Sequence, residues 1–193
     1  MHNSSKLKER KIPIKMMNTE KFIIYACPVG ELNEQINFYF QKSQERCGEN
    51  PAHHYMPHCS LTGFFNANPN TIPDYLNSLD QTYHQSQNLS LDIKIVQMMF
   101  KPKWHGLELK ASGLQHLIAN FAEIMHHQPI EENIRLKDWL HISFAYKFQS
   151  QHHETLKKLA EKMINPESLT QWELRFYQKH SNGCWTCLQS WPL

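Results

Sequence analysis

No apolar run in the 193-residue sequence approaches the roughly 18–20 residues a membrane helix needs, so a spanning helix is not expected. Nor is a secretory leader expected. The first 18 residues carry Lys6, Lys8, Arg10, Lys11 and Lys15 against Glu9 alone, with no apolar stretch to serve as a signal core. Five cysteines, an odd count, do not make a disulfide framework. The expected setting is therefore reducing: intracellular and cytoplasmic, or nuclear if the source is eukaryotic, with no membrane partner. Excess charge of one sign is also missing. Twenty Lys+Arg against 18 Asp+Glu leave +2, too balanced to announce nucleic acid by bulk charge, though it permits a phosphate in a local basic site. No low-complexity block or Gly/Ser linker divides the chain.

What is present suits a folded domain. Hydrophobic residues make up 40% and charged residues 20%, enough apolar material for a core and too little charge for disorder. The length fits one domain over residues 20–193, behind a basic, flexible tail over 1–19. Phe22 to Cys27 reads as a strand closed by Pro28. Leu32, Ile36, Phe40 and Cys47 fall near helical spacing behind Glu31 and Glu34. Cys59 to Phe65 is strand-like, and Pro73 opens a helix carrying Leu76, Leu79 and Tyr83. Leu89, Leu91, Ile93 and Ile95 alternate as a half-buried strand. A loop at Lys101-Pro102-Lys103-Trp104 leads to a second alternating piece, Gly106 to Lys110. A helix through Leu114 to Met125, a strand from Leu140 to Phe148 and a helix through Leu156 to Met163 follow. Strands near Trp172–Tyr177 and Cys184–Leu188 finish the chain. Interleaved elements of both kinds predict an α+β fold with helices packed on sheet.

The chemistry lies in the histidines. His-x-Ser occurs four times, at His2, His58, His84 and His141, and is not specific by itself. Two of the four, at His2 and His84, sit in polar stretches. Only His58-Cys59-Ser60-Leu61 and His141-Ile142-Ser143-Phe144 embed the pair in an apolar alternation. Residues two apart on a strand share a face. Each strand therefore turns Cys59 and Leu61, or Ile142 and Phe144, to the core and presents an imidazole and a hydroxyl together on the other side. The offsets repeat further, since His58, Ser60 and Phe65 recur as His141, Ser143 and Phe148. A duplicated unit would set the two strands side by side.

These two tetrads, 83 residues apart, resemble the 2H phosphoesterase superfamily, and the likeness runs from Phe22 to Leu188. Its members include bacterial RNA 2′,3′-cyclic phosphodiesterase/ligase-type proteins, eukaryotic cyclic nucleotide phosphodiesterases and an RNA 3′-end-trimming exonuclease. The resemblance implies a bilobal, pseudo-two-fold α+β fold with two antiparallel sheets lining a central cleft. It implies His58 and His141 as the catalytic pair, Ser60 and Ser143 as phosphate ligands, and no metal or cofactor. Histidine suits acid–base work because its reference pKa of ~6.5 lies near the working pH. Hydroxyls beside it can donate to the charge that develops on phosphorus-bound oxygens.

The expected activity is hydrolysis of 2′,3′-cyclic phosphates of nucleotides or RNA ends by a monomer. The alternatives are a 3′–5′ RNA exonuclease or other phosphoester hydrolase with the same site, and a non-catalytic nucleotide-binding module. Thr62, one step along from Ser60, and Tyr25, on the opening strand, are candidate substrate contacts. Trp104 with Lys101 and Lys103 would suit a base and a phosphate. The doublets His53-His54, His126-His127 and His152-His153 have no metal-ligand spacing and read as surface residues. Cys184-x-x-Cys187, a single pair, is weak evidence for zinc.

Overall fold

A computed structural model of the chain describes residues 20–127 and 133–193; the basic tail over 1–19 lies outside them. The first strand, β1 (Glu20–Val29), runs into helix α1 (Glu31–Cys47), whose first turn carries Glu31 and Glu34. Carboxylates there favour the positive end of the helix dipole. β1 continues through Pro28 instead of ending before it. Its pairing with β2 (Cys59–Ser60) stops at Ala26, so Pro28 has a hydrogen-bonded neighbour on one side only, where a missing N–H is tolerated. β3 (Phe65–Ala67) pairs with the start of β1, and α2 (Ile72–Gln85) follows with proline in its first turn.

The strand expected over Leu89–Ile95 begins later, as β4 (Lys94–Lys101). Leu91 and Ile93 still pack against the core, but this stretch crosses the start of α3 (Ser112–His126). A Cβ on Gly113 would lie 2.0 Å from the Ser90 carbonyl oxygen, so only glycine lets the two backbones pass. Trp104 is likewise not on a loop. Pro102 and Lys103 form a tight turn, Lys101 pairs with Trp104, and β5 (Trp104–Lys110) starts at the indole. β6 (Leu140–Tyr146), α4 (His153–Met163), β7 (Gln171–Lys179) and β8 (Trp185–Pro192) complete the chain.

The strands make one antiparallel sheet in the order β4-β5-β6-β2-β1-β7-β8, with β3 also on β1. The two sheets that the family resemblance implies are the two ends of this sheet, joined by a single β2–β6 pair, Cys59 with Ile142. One face carries the helices, α1 against α4 and α2 against α3. Their apolar stripes meet Phe22, Ile24, Cys59, Leu107, Ile142 and Phe176 of the sheet in one continuous core. Phe65 and Phe148, the last members of the repeated pattern, are both buried in it. A smaller cluster of Ile23, Tyr25, Cys27 and Tyr177 lies on the opposite face. None of the helices among the described residues is long and apolar enough to cross a membrane.

Candidate functional site

The site is built where β2 meets β6. Cys59 and Ile142 face each other at that pair and both point into the core. Carrying the antiparallel register one residue either way sets Ser60 opposite His141, and His58 opposite Ser143, on the open face. The two tetrads thus cross head to tail, each imidazole beside the other strand's hydroxyl. All seven residues singled out from the sequence line one cavity of about 410 Å³: His58, His141, Ser60, Ser143, Thr62, Tyr25 and Trp104.

Each imidazole is held the same way. His58 Nδ1 lies 2.7 Å from the Met56 carbonyl oxygen, and His141 Nδ1 lies 3.2 Å from that of Trp139. A carbonyl only accepts, so Nδ1 carries the proton in both rings and Nε2 is left as a free lone pair. Each ring also has an aromatic side chain against it. Tyr25 covers His58 and Trp139 covers His141, both at 4.0 Å between centroids. Burial disfavours the charged imidazolium. It brings His58 down to about 4, with His141 nearby lowering it further and the Met56 bond opposing. His141 is lowered by the same burial, against the Trp139 bond and with Lys137 and Lys101 adding to the fall. A neutral Nε2 accepts a proton, and a protonated one donates; a phosphate between the two rings would raise both.

The hydroxyls differ. Ser143 Oγ accepts from Trp104 Nε1 at 2.9 Å, which leaves its own proton to donate. Ser60 Oγ has no side-chain partner among the described residues. Thr62 is off the strand: β2 ends at Ser60, and Thr62 Oγ1 instead accepts the backbone N–H of Ile24 at 3.1 Å. It is fully buried, so its first task is to satisfy β1. Tyr25 is 1% exposed, and its contribution is the ring packed against His58; burial raises its phenol far above the usual range.

Several residues here were not anticipated. Arg135 and Lys137 join the expected Lys103 in lining the cavity, and none of the three makes an ion pair among the described residues. Arg135 and Lys137 are brought in because residues 135–137 pair with 61–63, through Gly63 N to Arg135 O at 2.7 Å and Lys137 N to Leu61 O at 3.0 Å. Trp139 was legible in principle, since it stands two residues before His141 and so on its face. Gly106 was not. It pairs with Ser143, and a Cβ there would sit 2.5 Å from the Trp104 ring and 2.1 Å from the Ile142 carbonyl oxygen.

Two members of the histidine doublets are not surface residues. His53 is half-buried, bonded to Ser43 and Asn50, and braces the turn that leads to His58. His153 meets the fully buried His105 at 3.0 Å. Cys184 and Cys187 are both exposed, and Cys184 precedes β8. No group of three or more potential ligand side chains converges among the described residues.

Fold and site together define a class: an α+β protein whose antiparallel sheet carries a two-histidine, two-serine cleft with cations around it. No family model matches the chain. Among curated proteins it is similar to the ecdysteroid-phosphate phosphatase of Bombyx mori, 29% identical over 167 residues, with 82% of this chain and 24% of that protein covered. It is similar also to the Drosophila melanogaster protein of the same name, at 26% with 82% and 26% covered. A third relative is ubiquitin-associated and SH3 domain-containing protein B of Homo sapiens, at 26% with 73% and 22% covered. The chain spans about a quarter of the length of these relatives.

Proposed function

We propose that this chain is a metal-independent phosphodiesterase of the 2H type that opens 2′,3′-cyclic phosphates of nucleotides or RNA ends. The observation that carries the reading is the crossed pair of tetrads, with two Nε2 atoms free to exchange protons in a cleft lined by Lys103, Arg135 and Lys137. The two phosphatase-named relatives support phosphoester hydrolysis in general. Residues 20–193 act in this reading as one unit of two similar lobes sharing one core.

The two rings divide the labour. His58, the more deeply depressed, stays neutral and takes a proton from water. The water oxygen bonds to phosphorus as the bond to one ribose oxygen breaks, and His141 Nε2–H protonates that oxygen. The net change is one water added across a P–O bond. Ser60 and Ser143 donate to the nonbridging oxygens, while Lys103, Arg135 and Lys137 offset the negative charge. The test is hydrolysis of 2′,3′-cyclic AMP in EDTA by wild type, His58→Ala and His141→Ala. Turnover that survives EDTA and falls by about 10²-fold or more in each variant is expected. Turnover untouched by either substitution would overturn the reading. The relatives' names favour a second reading, phosphomonoester hydrolysis, and p-nitrophenyl phosphate in the same assay separates the two.

A further inference from the structure

The strand that carries His141 and Ser143 holds one extra residue just beyond them. β5 and β6 pair His105 with Ala145 but Gly106 with Ser143, so Phe144 forms a bulge. Strict alternation would send Tyr146 to the core with Ile142 and Phe144. The bulge turns it to the open face instead, opposite Trp104, and both rings line the cavity. On its other edge β6 has the single pair with β2, and Pro57, which lacks an N–H, sits where a longer β2 would have to donate. The Tyr146 N–H therefore needs an acceptor from outside the sheet. It donates to Asn50 Oδ1 at 3.4 Å, from 96 residues away in the chain.

Asn50 is a buried polar residue, 5% exposed, and its side chain is engaged on every side. The same Oδ1 accepts the Ala52 N–H at 3.0 Å and so caps the turn Pro51–His54. Nδ2 lies 2.9 Å from His53 Nε2, which in turn lies 3.0 Å from Ser43 Oγ on α1. From the capped turn the chain runs straight to the site. Ala52 O accepts the Tyr55 N–H at 3.2 Å, and the next residue, Met56, supplies the carbonyl that fixes His58 Nδ1. One oxygen thus ties the segment that carries His58 to the strand that carries His141. We propose that Asn50 is a positioning residue of the cleft: it places the Met56 carbonyl, and with it the tautomer and reach of His58, relative to His141. The kinetic half of its test rests on the cyclic-phosphate reading; the spectroscopic half does not.

Asn50→Ser separates this role from simple capping. Serine still caps a turn by accepting the Ala52 N–H, but its oxygen is one bond closer to the backbone and falls short of Tyr146 N. Asn50→Gly, also tolerated at a cap, removes the oxygen altogether and keeps the test open if the serine variant does not fold. Asn50→Asp retains an acceptor for both N–H groups and is the rescue. Long-range proton–nitrogen NMR of the imidazoles at pH 7.5, with His58 assigned by the signals lost in His58→Ala, reads the tautomer without any substrate. Wild type and Asn50→Asp should hold His58 in the Nδ1–H form alone, while Asn50→Ser and Asn50→Gly should show both forms. With 2′,3′-cyclic AMP, kcat should fall by about ten-fold or more in these two variants and KM by much less, because a misplacement of ~1 Å costs up to ~10²-fold, and Asn50→Asp should recover most of the loss. A wild-type tautomer or a wild-type kcat in Asn50→Ser or Asn50→Gly overturns the proposal and leaves the hydrolase reading standing, as does an Asn50→Asp no better than either. A tautomer that responds as expected in a protein whose wild type turns nothing over supports the positioning role and overturns the hydrolase reading instead.

Discussion

At the scale of single residues, the decisive contacts are the two carbonyl bonds at Nδ1, because they fix what each imidazole offers to the cleft. With Nδ1 committed, any acid or base chemistry in the proposed reaction would pass through Nε2, and the two rings are told apart by how far each is depressed. An enzyme needing one neutral and one protonated ring has its free-state optimum between the two depressed values, below 6.5. We expect kcat/KM to peak on the acid side of 6.5 and to fall as pH rises further. The kcat optimum should lie higher, because bound phosphate favours both imidazoliums. His58→Ala should remove the acidic limb and His141→Ala the alkaline one; a kcat/KM that climbs through pH 8 would contradict this assignment. Thr62 belongs to the same scale but to stability. Thr62→Val strands the Ile24 N–H in the core and should cost about 1–3 kcal/mol in a urea titration. The sequence shows Thr62 only as the next alternate residue after Ser60. That a backbone N–H from β1 would claim its hydroxyl depends on where β2 ends.

At the scale of elements, the site depends on β5 as much as on the strands that carry the tetrads. The hairpin turn at Pro102–Lys103 sets the register of β4 and β5, and that register brings Gly106 opposite Ser143 and under the Trp104 indole. Gly106→Ala must push a carbonyl, the indole or both. It should destabilise the protein by about 1–3 kcal/mol and shift Trp104 away from Ser143. The expected signature is a changed tryptophan emission together with a larger loss of activity than Trp104→Phe gives, since the phenylalanine keeps an aromatic ring against Trp139 and His141 and loses one hydrogen bond. An alanine variant with wild-type emission and rate would refute the close-packing argument. Most elements could be read from the chain because their stripes are local: α1, α3, α4 and β6 each show their buried face by spacing alone. β4 could not, because Leu89 to Ile95 alternates correctly and is diverted by the start of α3, a contact more than 20 residues away that only Gly113 permits.

At the scale of the whole molecule, neutral histidines are spread through the fold, and this ties stability to pH. His58 and His105 are both brought to about 4 by burial, His105 also by His153 and Lys157, while His53 and His141 are lowered as well. The sign follows from proton counting. The unfolded chain, with ordinary histidines near 6.5, binds more protons than the native one in the interval below that value, so stability rises with pH there. The contribution is complete above about 6.5 and is lost progressively as pH falls towards 4, where the native rings themselves begin to titrate. His105 makes the case sharpest. It is fully buried, its Nδ1 has no partner among the described residues, and its Nε2 already meets His153, so a proton added there faces desolvation with no carboxylate to offset it. Urea midpoints measured at pH 7.5, 6.0 and 5.0 should fall in that order. His105→Phe, which matches the surrounding Phe100 and Phe148 rings, should flatten part of the fall without touching the cleft. Midpoints that hold constant from 7.5 to 5.0 would mean these rings are not carried neutral in the folded protein, and the depressed imidazoles assigned to the cleft would fall with them.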